Sequence, residues 1–122
     1  MIPNEFETCR PVRKNDKALN TDEIHTMLSH LNHWFLGQDA TPPRLVREFR
    51  FKNFLAAMNF ANAVAKAADR HDHHPRMTIE WGKVQVEWWT HVIGGLHRND
   101  WIMAAETDRI FDNLVQPEDK TL

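Results

Sequence analysis

The chain has 122 residues, 42% hydrophobic and 26% charged, with a net charge of −2 when histidine is neutral. That is one domain by size, able to bury about two-thirds of its unfolded surface without a disulfide or metal to hold it. The balance is that of an ordinary soluble globular domain. It lacks the basic excess expected of a protein that binds nucleic acid directly.

In chain order, residues 1–18 are polar, carry Pro3 and Pro11, and show neither helical nor strand period. They read as an N-terminal extension. Met1–Arg13 has no apolar core of the signal-peptide kind. The single cysteine, Cys9, cannot form an internal disulfide, which suits a reducing, cytoplasmic setting. Asn20 or Thr21 can cap a helix, followed by the acids Asp22 and Glu23. Ile24, Leu28 and Leu31 then recur at i, i+4 and i+7, predicting an amphipathic helix over 22–31. His33-Trp34-Phe35-Leu36 is bulky and strand-like, and Gly37–Pro43 is a loop by its Gly, Asp and prolines. Arg44–Phe51 alternates: Leu45, Phe49 and Phe51 point one way, and Val46, Glu48 and Arg50 the other. The pattern predicts a half-buried strand.

Phe54–Arg70 is the strongest helix. Phe54, Met58, Ala61, Ala65 and Ala68 make one stripe, and Phe60, Val64 and Ala67 a second. Lys66 is the only charge between 54 and 68. So little charge predicts burial on more than one side, against a sheet and against a partner subunit. Met77, Ile79 and Trp81, then Val84, Val86 and Trp88, alternate on either side of Gly82 and predict a hairpin. Trp88 and Trp89 point to opposite faces, one to the core and the other to a site or interface. Gly94-Gly95 ends the fourth strand. Asn99 or Asp100 can cap a last helix reaching Leu114, and Pro117 closes the ordered part. The longest apolar run is the five residues Trp101–Ala105, against about 20 for a membrane span, so no membrane role is expected. The order α-β-β-α-β-β-α with tight turns predicts an α+β fold, a largely antiparallel sheet with helices packed on it. It occupies 19–116, with a tail at 117–122.

Eight histidines are a surplus, and five of them fall between 71 and 97. The densest stretch is Asp69-Arg70-His71-Asp72-His73-His74-Pro75. Pro75 biases His74 toward extended backbone, so the long helix ends by 70–72. Adjacent residues on extended backbone point in opposite directions. A hairpin about Gly82 sets residues 74–77 beside 87–90, which brings His91 near His73 and His74. Three neighbouring imidazoles can serve as acid and base near neutral pH. They can also hold a metal with an open position, or simply form a solvated histidine-rich loop.

The stretch resembles the signature of the pterin-4a-carbinolamine dehydratases, with Asp69, His73, His74, Pro75, Trp81, His91 and Asp100 at the family's intervals. Thr90-His91…Gly95-Leu96, Phe49-Arg50-Phe51-Lys52-Asn53-Phe54 and Trp34 are similar to flanking family features. The likeness runs from about Leu19 to Leu114. It implies four antiparallel strands covered by three helices, a homodimer or homotetramer, and no metal or cofactor. It also implies loss of water from 4a-hydroxytetrahydropterin to give quinonoid dihydropterin, recycling the pterin used by an aromatic amino acid hydroxylase. His73, His74 and His91 then form the acid-base set. Asp69 orients an imidazole or binds the pterin edge, Trp81 helps to wall the site, Asp100 supports the histidines from the last helix, and Pro75 counts with these three as substrate-binding. Three departures stand out: Asp69 where Glu is common, Val92 where an acid is common, and Asp72 where Asn is common. On this reading the other five histidines are incidental, with His71 and His97 facing solvent and His25, His30 and His33 on the surface. The competing function is a binding module on the same scaffold, an assembly factor or transcriptional coactivator. A domain this small is expected to offer a shallow cleft backed by subunit contacts.

Overall fold

A computed structural model describes residues 1–37 and 41–114. The expected tail at 117–122, Pro117 and the middle of the loop at 38–40 lie outside the described residues. Three helices and four strands follow in the order α1 (Thr21–Ser29), β1 (Phe35–Leu36), β2 (Leu45–Arg50), α2 (Phe54–His71), β3 (Arg76–Glu80), β4 (Lys83–Trp88) and α3 (Arg98–Leu114). The sheet order is β1-β2-β4-β3 and every pairing is antiparallel. This is the α+β fold the sequence predicts.

Local chemistry explains the element ends. Asn20 caps α1 reciprocally: its side chain accepts the Glu23 N–H, and the Glu23 carboxylate accepts the Asn20 N–H, both at 2.9 Å. Asn53 caps α2 by accepting the Ala56 N–H at 2.8 Å. Glu80 pairs with Lys83, leaving Trp81-Gly82 as the two-residue turn of the β3–β4 hairpin. Gly82 sits at φ +69°, and a Cβ there would meet the Phe51 carbonyl oxygen at 2.9 Å. Only glycine fits that approach.

Alternation along the strands sends Met77 and Ile79, Val84, Val86 and Trp88, and Leu45 and Phe49 toward the helices. The core joins them to Phe51, Phe60, Val64, Met103 and Phe111, with Met27, Leu31 and Trp34 from α1 and its exit. Trp34 Nε1 donates to Asp108 Oδ1 at 2.9 Å and ties that exit to α3. Val46, expected on the open side of a half-buried strand, is buried as well as Leu45, whereas Glu48 and Arg50 on the same face are exposed. The two stripes of α2 also resolve differently. Ala57, Phe60, Ala61, Val64, Ala67 and Ala68 are buried, whereas Phe54, Leu55 and Ala65 are exposed. Within one chain, α2 is covered on a single face.

Candidate active site

The site begins where α2 stops. Asp72 adopts the left-handed conformation at φ 51°, ψ 43°. The His73 N–H then reaches back to the Ala68 carbonyl at 3.1 Å and the Asp72 N–H to the Asp69 carbonyl at 3.3 Å. Those two bonds form a Schellman closure, usually built on glycine. It reverses the chain sharply, and Pro75 holds the outgoing segment extended into β3. His73 and His74 therefore face opposite ways.

His73 turns inward. Its Nε2 lies 2.6 Å from Asp100 Oδ1, and its ring stacks on Trp88 at 5.7 Å between centroids, 11° from parallel. Asp100 is fully buried on α3. Its other oxygen accepts the Thr90 hydroxyl at 2.8 Å and the His97 N–H at 3.0 Å. Three partners around one enclosed carboxylate satisfy its hydrogen-bonding capacity inside the fold. An anion at Nε2 holds a proton there and leaves Nδ1 as the ring's free basic nitrogen. His74 turns outward, with Nε2 3.0 Å from Asp69 Oδ1, and this pair is largely exposed.

His91 comes from the other segment. A bridge between Thr90 and Gly95 closes a short loop containing a single 3₁₀ turn over His91–Ile93. The loop presents the exposed His91 ring on the same side as the two others. Together His73, His74 and His91 line one cleft of about 690 Å³, with Trp89 and Thr90. Trp88 takes the core and Trp89 the cleft wall. Arg44 caps the Trp89 ring at 3.9 Å, while its Nε1 is buried without a hydrogen-bond partner among the described residues.

The remaining wall comes from the N-terminal segment: Cys9, Arg10, Pro11 and Val12 all line the cleft. The Cys9 N–H donates to His71 Nδ1 at 3.2 Å. Buried Asn99 grips Arg10 from both sides, accepting its N–H at 3.1 Å and donating to its carbonyl at 2.7 Å. Arg98 holds Glu7 through two bonds, at 2.6 and 2.9 Å. That bidentate pair draws the Glu7 carboxyl below its ordinary range. Burial, reinforced by Asp100 and Glu7, pushes the Cys9 thiol up to about 12.

His71 and His97 correct the sequence reading. Neither faces solvent: His97 is 6% exposed and His71 is half-buried. His97 precedes α3 and caps it, its Nδ1 accepting the Asn99 N–H at 3.0 Å while Asp100 accepts its own N–H. The expected cap at Asn99 or Asp100 thus lies two or three residues earlier. Burial lowers the pKa of both rings. His25, His30 and His33 are exposed as expected.

The other expected site residues divide. Asp69 stands beside His74, and Asp100 reaches the cleft through His73 and Thr90. Pro75 is outside the cleft lining. Trp81 is not brought to the cleft: it occupies the hairpin turn at the far end of β3, 73% exposed. Sequence reasoning missed Asn99, Arg70 and the Cys9–Val12 wall. Among the described residues, no group of three or more His, Cys, Asp or Glu is arranged to hold a metal ion. No helix there is long and apolar enough to cross a membrane.

Residues 17–110 match the family described as pterin 4 alpha carbinolamine dehydratase. A Saccharophagus degradans protein, provisionally named a pterin-4-alpha-carbinolamine dehydratase, is 42% identical over 106 residues, 87% of this chain and 94% of that one. A Chlorobium luteolum protein with the same provisional name is 47% identical over 92 residues, 75% and 81% of the two chains. Among solved structures, a transcriptional coactivator/pterin dehydratase from Brucella melitensis superposes with a TM-score of 0.71 at 30% identity, covering 77% of this chain and 98% of that one. A pterin dehydratase-like RuBisCO assembly factor of the alpha-carboxysome shares the fold, with a TM-score of 0.54 at 20% identity over 63% and 87%.

Proposed function

The chain belongs to the pterin 4 alpha carbinolamine dehydratase family, and from that premise we propose that it removes water from 4a-hydroxytetrahydropterin to give quinonoid dihydropterin. One observation carries this reading: three imidazoles from two segments line a single cleft. The chemistry asks for that set. Hydroxide leaves poorly, so the 4a-oxygen takes a proton as its C–O bond breaks. The N5–H gives up a proton as the C=N bond forms. One proton enters and one departs, so an acid and a base near each other suffice. Imidazole serves as either near neutral pH. His73, with its Nε2 tied to Asp100, offers Nδ1. His74 and His91 stand open to solvent and can exchange protons with it. Asp69 orients His74, and Pro75 fixes the extended backbone that separates the two adjacent rings.

The reading includes supply of the substrate by an aromatic amino acid hydroxylase. It also includes self-association as a homodimer or homotetramer through the exposed edge of α2 at Phe54 and Leu55, which are 48% and 68% exposed. Sedimentation that shows only a monomer at micromolar concentration removes that part. A coactivator or assembly role needs a scaffold surface and not an acid-base cluster, so the assembled histidines favour catalysis.

Stopped-flow dehydration of 4a-hydroxytetrahydropterin tests the reaction. His74→Ala and His91→Ala are each expected to slow it about a hundredfold with an unchanged circular dichroism spectrum. Wild-type rates in both variants would falsify the assignment.

A further inference from the structure

The family match begins at residue 17, yet Cys9, Arg10, Pro11 and Val12 line the cleft. That segment has no helix or strand of its own. What keeps it in place is a row of bonds to residues far along the chain. Asn99 supplies both a donor and an acceptor to the Arg10 backbone, and its own backbone carbonyl accepts from Cys9 Sγ at 3.7 Å. His71 takes the Cys9 N–H, and Leu19 N–H donates to the Leu96 carbonyl at 2.8 Å, fixing the segment's other end. An amide side chain that satisfies one backbone N–H and one C=O replaces a strand partner for a single residue. Asn99 is 3% exposed, so in the docked fold its amide is satisfied by the Arg10 backbone and not by bulk water, and removing the amide would leave the Arg10 N–H and carbonyl without these partners.

We propose that Asn99 is a positioning residue that holds Cys9–Val12 as a wall of the pterin site, acting through the Arg10 backbone and not on the reacting atoms. The inference rests on the dehydratase reading for the identity of the ligand. The wall itself has a readout independent of turnover. Cys9 is the only cysteine, it lines the cleft, and burial keeps its thiol protonated, so its alkylation reports whether the segment is docked.

Two variants open the wall from opposite sides. Asn99→Ala removes both side-chain bonds. Arg10→Pro removes the N–H that Asn99 accepts while leaving α3 untouched, and so stays informative if the first variant folds poorly. In each, iodoacetamide labelling of Cys9 is expected to accelerate about tenfold, and the KM for 4a-hydroxytetrahydropterin and the dissociation constant for dihydrobiopterin to rise about tenfold, the scale of one or two lost hydrogen bonds. The kcat is expected to stay within about threefold, since no group that moves a proton is touched. Dihydrobiopterin should also protect Cys9 in the wild type. Faster labelling with KM and dihydrobiopterin affinity unchanged overturns the inference, as does labelling at the wild-type rate with a raised KM. A wild type that binds dihydrobiopterin and protects Cys9 but does not dehydrate sinks the reaction and leaves the wall standing.

Discussion

Asp100 shows how much one side chain can organise. It is enclosed, and its two oxygens take bonds from His73, Thr90 and His97. These partners belong to the turn after α2, the loop after β4 and the residue capping α3, so one carboxylate joins all three pieces around the cleft. Asp100→Ala would strand the Thr90 hydroxyl, the His97 N–H and the His73 ring nitrogen in a buried space. The expected cost is about 3 kcal/mol, read as a lower urea midpoint. Asp100→Asn keeps the volume and one acceptor, so it should retain more stability while slowing dehydration, because a neutral amide no longer fixes the proton on His73 Nε2. A wild-type urea midpoint for Asp100→Ala would show that the network carries no weight in folding.

The elements that position the site differ in how openly the sequence announces them. The β3–β4 hairpin is legible: Met77, Ile79, Val84, Val86 and Trp88 alternate about Gly82, and the pairing of Arg76 with Glu87 sets His73 and His74 beside the segment leading to His91. The opposite facing of His73 and His74 follows from Pro75. The closure of α2 is less legible, because Asp72 holds a left-handed position where glycine or asparagine is the usual signal. Trp81, which the motif resemblance assigns to the site wall, lies away from the cleft within this chain, as distance alone implies. Six residues of extended chain from Pro75 span about 20 Å, which carries Trp81 to the other end of the hairpin. The Cys9–Val12 wall could not be read at all. An irregular segment has no period, and its bonds go to Asn99 and His71, distant in sequence. The role of His97 is illegible for a related reason: in a polar stretch before a helix, nothing local shows that its ring caps that helix.

At the scale of the whole molecule, His71 and His97 give stability a dependence on pH. His71 and His97 each use Nδ1 to accept a backbone N–H, from Cys9 and Asn99. Protonation would turn that acceptor into a donor facing a donor. Burial is the main reason both rings are harder to protonate in the fold. Around His71, Glu106 opposes that shift while Arg70, His73 and Arg109 add to it; around His97, Asp100 and Asp16 oppose while Arg10 and His73 add. The sign follows from the folded values lying below the ordinary imidazole pKa of about 6.5. As pH falls through about 6.5, the unfolded chain takes up protons that the fold refuses, so stability is complete above that pH and declines below it. Burial also raises the pKa of the Asp108 carboxyl on α3, so a window between pH 7.5 and 5.5 does not by itself isolate the histidines, and variants of the two rings are needed to do so. The urea midpoint is expected to drop between those two pH values. His97→Asn retains a side-chain oxygen able to cap α3 but cannot titrate, and combined with His71→Gln it should flatten the drop. A midpoint equal at pH 7.5 and 5.5 in the wild type would contradict the argument. Because the His71 bond is one of those holding Cys9, the same acidification should also loosen the N-terminal wall, read as faster iodoacetamide labelling of Cys9 at pH 5.5 in the wild type than in His71→Gln.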